Sequence, residues 1–247
     1  MNSTTKIIIT AALALFTLTL SAQTAKFYVK DGGAGNQDGS SWDDAFGTLE
    51  EALAEATANG LNGGDTIWIA AGTYSQTGTY YLTDEDIEIY GSFKGTETSI
   101  NQRTFATADS TILDANGGDY SVFNLLNRTK ATVIDGVRIT GANFSGYGAG
   151  MFNSNSSPTL TNVTINGNTA LGSGAGMYNS NSSPTLTNVT ISENTTSIIG
   201  TENGGGGMFN NNNSSPTLTN VTISGNTTTG NNSKGGGMLN NNSMSFS

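Results

Sequence analysis

The chain has no cysteine and no histidine, only 3 prolines in 247 residues, and almost no charge in its second half. Without cysteine there are no disulfides, no thiol nucleophile and no lipid-bearing N-terminal Cys. Without histidine, serine–histidine triads and imidazole-ligated metal centres are excluded, and only lysine- or threonine-based nucleophile variants stay open. Nine Lys and Arg stand against 19 Asp and Glu, a formal net charge of −10 at pH 7. An acidic chain is a poor partner for nucleic acid, which needs a basic face. Anionic polysaccharide would be repelled too, unless a local basic patch or a bound cation intervened. After residue 147 the only charged residues are Glu193, Glu202 and Lys234. The exterior of that half must therefore be solvated by hydroxyls and amides.

Long apolar runs are also missing. The best one, Ile7 to Leu20, follows Lys6 and ends at Ser21-Ala22. It is too short for a comfortable membrane span and reads as a signal peptide, residues 1–22, cut after Ala22. No later segment is apolar enough to cross a bilayer, so no transmembrane segment is expected after cleavage. The expected product is exported, to the cell surface or the medium.

What the chain does have is repetition. Gly148, Gly174 and Gly205 open three copies, GAGMFNSNSSPTLTNVTINGNT, GAGMYNSNSSPTLTNVTISENT and GGGMFNNNNSSPTLTNVTISGNT, and a fourth begins at Gly235. Met151, Met177, Met208 and Met238 fall 26, 31 and 30 residues apart, and the extra residues sit before the Gly cluster. Such placement is how a solenoid absorbs length changes at one corner. Within a copy, Val163 and Ile165 alternate with Thr164 and Asn166, a period of two in β-branched residues. Leu160 and Val163 have the wrong parity for one straight strand, and a turn at Asn162 repairs it. On this reading Asp114, Asp135, Asn162, Asn188 and Asn220 form one structural column of turn residues. Ile67–Tyr74 and Ile87–Phe93 read as earlier rungs, giving about seven in all. Thr48 and Glu51 form a capping box, predicting a helix over 48–58 that covers the first rung.

The expected fold is all-β, a right-handed parallel β-helix with a short N-terminal capping helix. Residues 23–65 form the N-terminal segment and 66–247 the β-helix, which stops mid-rung and is expected to continue in a longer protein. The stretches KFYVKDGGAGNQDGSSWDDAFGTLEEALAEA, GDTIWIAAGTY, YGSFKGTETSINQR and TILDANGG resemble the opening of bacterial secreted β-helix proteins of the pectate-lyase-like superfamily. The later units are similar to repeats of the chlamydial polymorphic outer membrane proteins, with their GGA-plus-aliphatic and Phe-x-x-Asn motifs. The matching stretches are Gly174–Met177 and Gly205–Met208, with Ile165-x-x-Asn168, Ile191-x-x-Asn194 and Ile223-x-x-Asn226; Ile replaces Phe, and a third Gly replaces Ala in the second. The resemblance implies the fold. It does not choose among lyases, hydrolases, adhesins and plain stalks.

Candidate chemistry is sparse. Arg138 points outward between Val137 and Ile139 and is the best placed basic residue for a lyase base or a carboxylate contact. A solvated arginine on a rung face is the plainer reading. Asp84, Asp86 and Glu88 share one face of a strand, with a spacing of roughly 6.5–7 Å that suits an inverting glycosidase pair or a cation site. An acidic edge that aids solubility explains them as well. The loop Asp31–Gly39 hints weakly at Ca²⁺, lacking the first ligand and the Glu of an EF-hand. No cofactor is otherwise expected. The function expected is a non-enzymatic passenger or adhesin-like module contacting glycans or surface proteins, with a polysaccharide lyase or glycoside hydrolase as the alternative.

Overall fold

The computed structural model describes residues 25–58, 65–82, 87–128, 132–197, 204–230 and 234–241. Every strand pair in it is parallel, and the strands stack into four sheets of seven, six, six and four members. This is the β-helix expected from the repeat, with four turns complete on all four sides. The segment read as a signal peptide lies outside the described residues.

One 26-residue turn shows how the sequence makes the four sides. Thr159–Thr161 lies in the first sheet, Thr164–Asn166 in the second, Thr169–Ala170 in the fourth and Met177–Ser180 in the third. Each corner is marked by a residue in the left-handed region. Asn162, Asn188 and Asn220 (φ 53°, 55° and 53°) turn the first sheet into the second. Gly167, Glu193 and Gly225 follow the second sheet; Gly174, Gly205 and Gly235 precede the third; Asn155, Asn181 and Asn212 follow it. Glycine and asparagine are the residues that tolerate this conformation, which explains the Asn/Gly-rich composition. Glu193 is the exception, at φ 56° where both equivalents are glycine. Glu193→Gly is therefore expected to raise stability by about 1 kcal/mol, read from the urea midpoint.

Two of the five residues assigned to the turn column do not occupy it. The register pairs Asp135 with Thr161 and so sets Gly136 (φ 73°) opposite Asn162. Glycine takes the left-handed position more cheaply than aspartate, so Asp135 stays in the strand. Asp114 belongs to the second sheet, opposite Thr140, and its Oδ1 accepts the Asn116 N–H at 2.8 Å in a local turn. Asp135 nonetheless ends the ladder: Asn162 Nδ2 donates to Asp135 Oδ1 (3.0 Å), Asn188 to Asn162 (3.2 Å) and Asn220 to Asn188 (2.8 Å).

Inside, Met151, Met177 and Met208 form one buried column, and Leu160 and Leu186, Val163 and Val189, Ile165 and Ile191 form others. Burial comes from the next rung: Leu186 is 0 % exposed, whereas its neighbour Leu218 in the last turn is 40 % exposed. The interior is not wholly apolar. Asn153, Asn179 and Asn210 are fully buried and linked Nδ2 to Oδ1 at 2.8 Å each, continuing to Asn240 at 2.7 Å. Asn168, Asn194 and Asn226 form a second ladder, and their Nδ2 groups also reach the carbonyls of Ile139, Ile165 and Ile191. A buried amide costs free energy unless bonded, and stacking supplies each with an identical partner.

At the front, the helix Leu49–Ala58 buries Leu49, Ala52 and Ala56. Its capping box is formed: Glu51 N–H donates to Thr48 Oγ1 (3.2 Å) and Thr48 N–H to Glu51 Oε2 (3.1 Å). The helix packs on the first strand, Lys26–Val29, which pairs on one side with Thr66–Ala70 and on the other is bonded by the 39–46 segment (Tyr28 N–H to Gly39 O, Phe46 N–H to Tyr28 O and Lys30 N–H to Phe46 O, 2.9 Å each). The front edge is thus closed by the backbone of that segment, with the helix packed beside it.

Candidate functional site

The outward residues of the early rungs are organised around Arg103. Its Nη2 lies 2.8 Å from Asp135 Oδ2, with side-chain exposures of only 7 % and 11 %. Nη1 donates to Gly91 O (3.2 Å) and Nε to Ile100 O (3.2 Å). The guanidinium also lies 5.2–5.3 Å from the rings of Tyr90, Phe93 and Phe105. All this ties the 94–105 loop to the rungs. Trp42, Trp68 and Phe93 pack beneath the same loop, and Trp42 Nε1 donates to Glu97 O at 2.8 Å.

Arg138 lies next to this clamp. It is exposed, with Val137 and Ile139 buried on either side, and its Nε donates to Asn166 Oδ1 at 2.8 Å. Together with Phe105, Ser92, Ser110 and Asn162 it lines a shallow hollow of about 150 Å³. Phe105 is 55 % exposed there. A guanidinium is a planar fork of N–H donors with no acceptor, so Arg138 suits an anion or hydroxyl contact far better than proton abstraction.

Of the acidic stripe, Asp84 and Asp86 lie outside the described residues. Glu88 accepts the Tyr90 hydroxyl at 2.8 Å. Burial, and then the Glu88 carboxylate, pushes the Tyr90 hydroxyl pKa up. In the Asp31–Gly39 loop, Asp38 accepts the Ser40 N–H at 2.9 Å. Among the described residues no three acidic side chains converge as metal ligands.

The 94–97 turn holds a carboxylate in backbone donors. Glu97 is 7 % exposed; its Oε1 accepts the Lys94 N–H (2.7 Å), and Oε2 those of Gly95 and Thr96 (both 3.0 Å). Burial alone would raise this carboxyl, but the N–H groups outweigh it and hold it below the usual range. A depressed folded pKa contributes stability above the unfolded value of about 4.3, lost as pH falls through the folded value. Tryptophan fluorescence is accordingly expected to change below about pH 4, and the Glu97→Gln variant to lose that step.

Sequence reasoning missed the outer row of the third sheet. Phe152, Tyr178 and Phe209 stack with centroids 5.2 and 5.4 Å apart and planes within 1° and 11°, and Tyr147 leans on Tyr178 at 5.2 Å. The signal was present, since each aromatic follows the repeat's Met. No family model, curated protein or solved structure matches this chain. The reading of its function therefore rests on its own residues.

Proposed function

We propose that the chain is an exported β-helical passenger, adhesin-like and without enzymatic activity, that contacts glycans or other surfaces. In this reading residues 1–22 are a cleaved signal peptide and the mature chain is secreted or held at the cell surface. It would stand with the pectate-lyase-like β-helices and with repeats of the chlamydial polymorphic outer membrane protein type. One observation carries the proposal. From residue 148 onward the exterior repeats the same uncharged Asn, Ser, Thr and aromatic rows rung after rung, with only Glu193 and Lys234 charged among the described residues. Repetition suits extended, multivalent contact, whereas catalysis needs one singular constellation.

A second reading, a polysaccharide lyase or glycoside hydrolase, is favoured by a single feature: Arg138 and the exposed ring of Phe105 share one hollow. Incubation of the protein with acidic and neutral polysaccharides separates the two. The expected result is no unsaturated product and no new reducing ends. Turnover that disappears in Arg138→Ala would establish the enzyme and sink the passenger reading.

A further inference from the structure

The partly exposed aromatic row of the third sheet combines apolar area, regular spacing and neutrality. We infer that it is a binding track for a neutral, extended β-linked polysaccharide laid along the axis of the solenoid. The inference rests on the glycan-contact reading and names its surface and ligand class.

Large hydrophobic side chains are rarely left on a soluble surface without a use when they cluster. Here Tyr81 (57 % exposed) and Leu126 (42 %) point out of the third sheet, and Tyr147 (45 %) leans on its Tyr178 with the rings tilted by 43°. Tyr81 also stands in register, through Asn124, with Phe152, Tyr178 and Phe209. Phe152 and Tyr178 are half-buried and Phe209 is 3 % exposed, so the track's accessible centre is Tyr147, Phe152 and Tyr178. Two positions further along each strand, on the same outward side, lie Ser154, Ser180 and Asn211. The result is an apolar row beside a hydroxyl and amide row, both repeating once per rung.

Pyranose rings offer the matching chemistry, with C–H faces for aromatic carbon and hydroxyls for Ser and Asn. A β-linked chain adds close to one rung spacing per sugar, and the rings here repeat at 5.2 and 5.4 Å. Charge decides the class. No acidic or basic side chain stands on these strands from Met151 to Asn241, Arg128 flanks only the Leu126 end, and a polyanion would meet a protein of net charge −10.

The test is co-sedimentation of the full chain with insoluble cellulose and chitin, with soluble pectate as competitor. Binding is expected to either neutral polymer, undisturbed by pectate. It should weaken about tenfold in Tyr178→Ala and measurably in Tyr147→Ala, with no change in Thr190→Ala on the second sheet. Tyr147 is exposed, so its variant keeps the fold even if Tyr178→Ala does not, and thermal melting checks both. Binding that ignores both tyrosine variants overturns this surface while leaving glycan contact standing. Competition by pectate, or retention on protein-coated beads alone, overturns the ligand class. No binding to any polymer overturns the inference, and turnover of the polymer overturns the passenger reading beneath it.

Discussion

Gly176→Ala is expected to destabilise the protein by about 3–5 kcal/mol, a large effect for a methyl-sized change. The reason is not backbone freedom, because Gly176 does not have positive φ. A Cβ there would run into the carbonyl oxygen of Gly207, and would come within 2.9 Å of Asn194 Nδ2 and 2.9 Å of Ile191 Cγ2. The first of these is backbone of the next rung and cannot move aside without breaking the Met177 N–H to Gly207 O bond (2.9 Å). The same crowding holds at Gly150, whose added Cβ would lie 2.5 Å from Gly176 O, and at Gly207, 2.6 Å from Gly237 O, so the last glycine of the first three clusters is a packing requirement. Gly32→Ala is the control: φ is +77°, but nothing lies within 4 Å. It should cost only about 1–2 kcal/mol of conformational strain. Urea denaturation of the two variants separates steric approach from strain. Equal midpoints would show that the rungs have more room than these distances allow.

The late repeats were legible because every residue in them is printed three times. Alternation of Val163 and Ile165 with polar residues gave the strands, and the parity break at Leu160 gave the corner at Asn162, which has φ 53°. The helix was legible from Thr48 and Glu51 together with its apolar spacing. Register in the early rungs was not. There the copies diverge, and aligning Asp135 with Asn162 by chemical likeness overlooked that glycine outcompetes aspartate for a left-handed corner. The interior asparagines were hidden for a different reason. Asn153 and Asn179 occupy strand positions where a lone polar residue would face water, and only an identical partner one rung away makes burial tolerable. The Arg103 clamp was invisible because it joins an irregular loop to a residue 32 positions away, and no periodicity reports such contacts.

That clamp sets the second large effect. Arg103→Met is expected to cost about 3–5 kcal/mol, since it leaves the Asp135 carboxylate buried without its counter-charge. The residual bond from Asn162 Nδ2 to Asp135 Oδ1 (3.0 Å) offsets a small part of this. Asp135→Asn alone strands the guanidinium instead, yet its side-chain oxygen still accepts from Asn162. The double variant should recover much of the loss, because neither charge then remains buried alone. A thermodynamic cycle in urea measures the coupling, which is expected to exceed 1 kcal/mol. Limited proteolysis of the 94–105 loop gives an independent readout: it should quicken in Arg103→Met, since the contacts to Gly91 O, Ile100 O, Tyr90, Phe93 and Phe105 go together. Additive single-variant losses, with the loop as resistant as before, would mean that the pair is incidental to the packing of the rings around it. A strong coupling would instead explain why Arg103 and Arg138 differ so sharply in role, with Arg103 spent on holding the loop and Arg138 exposed and bonded only to Asn166 Oδ1 of the next rung among the described residues.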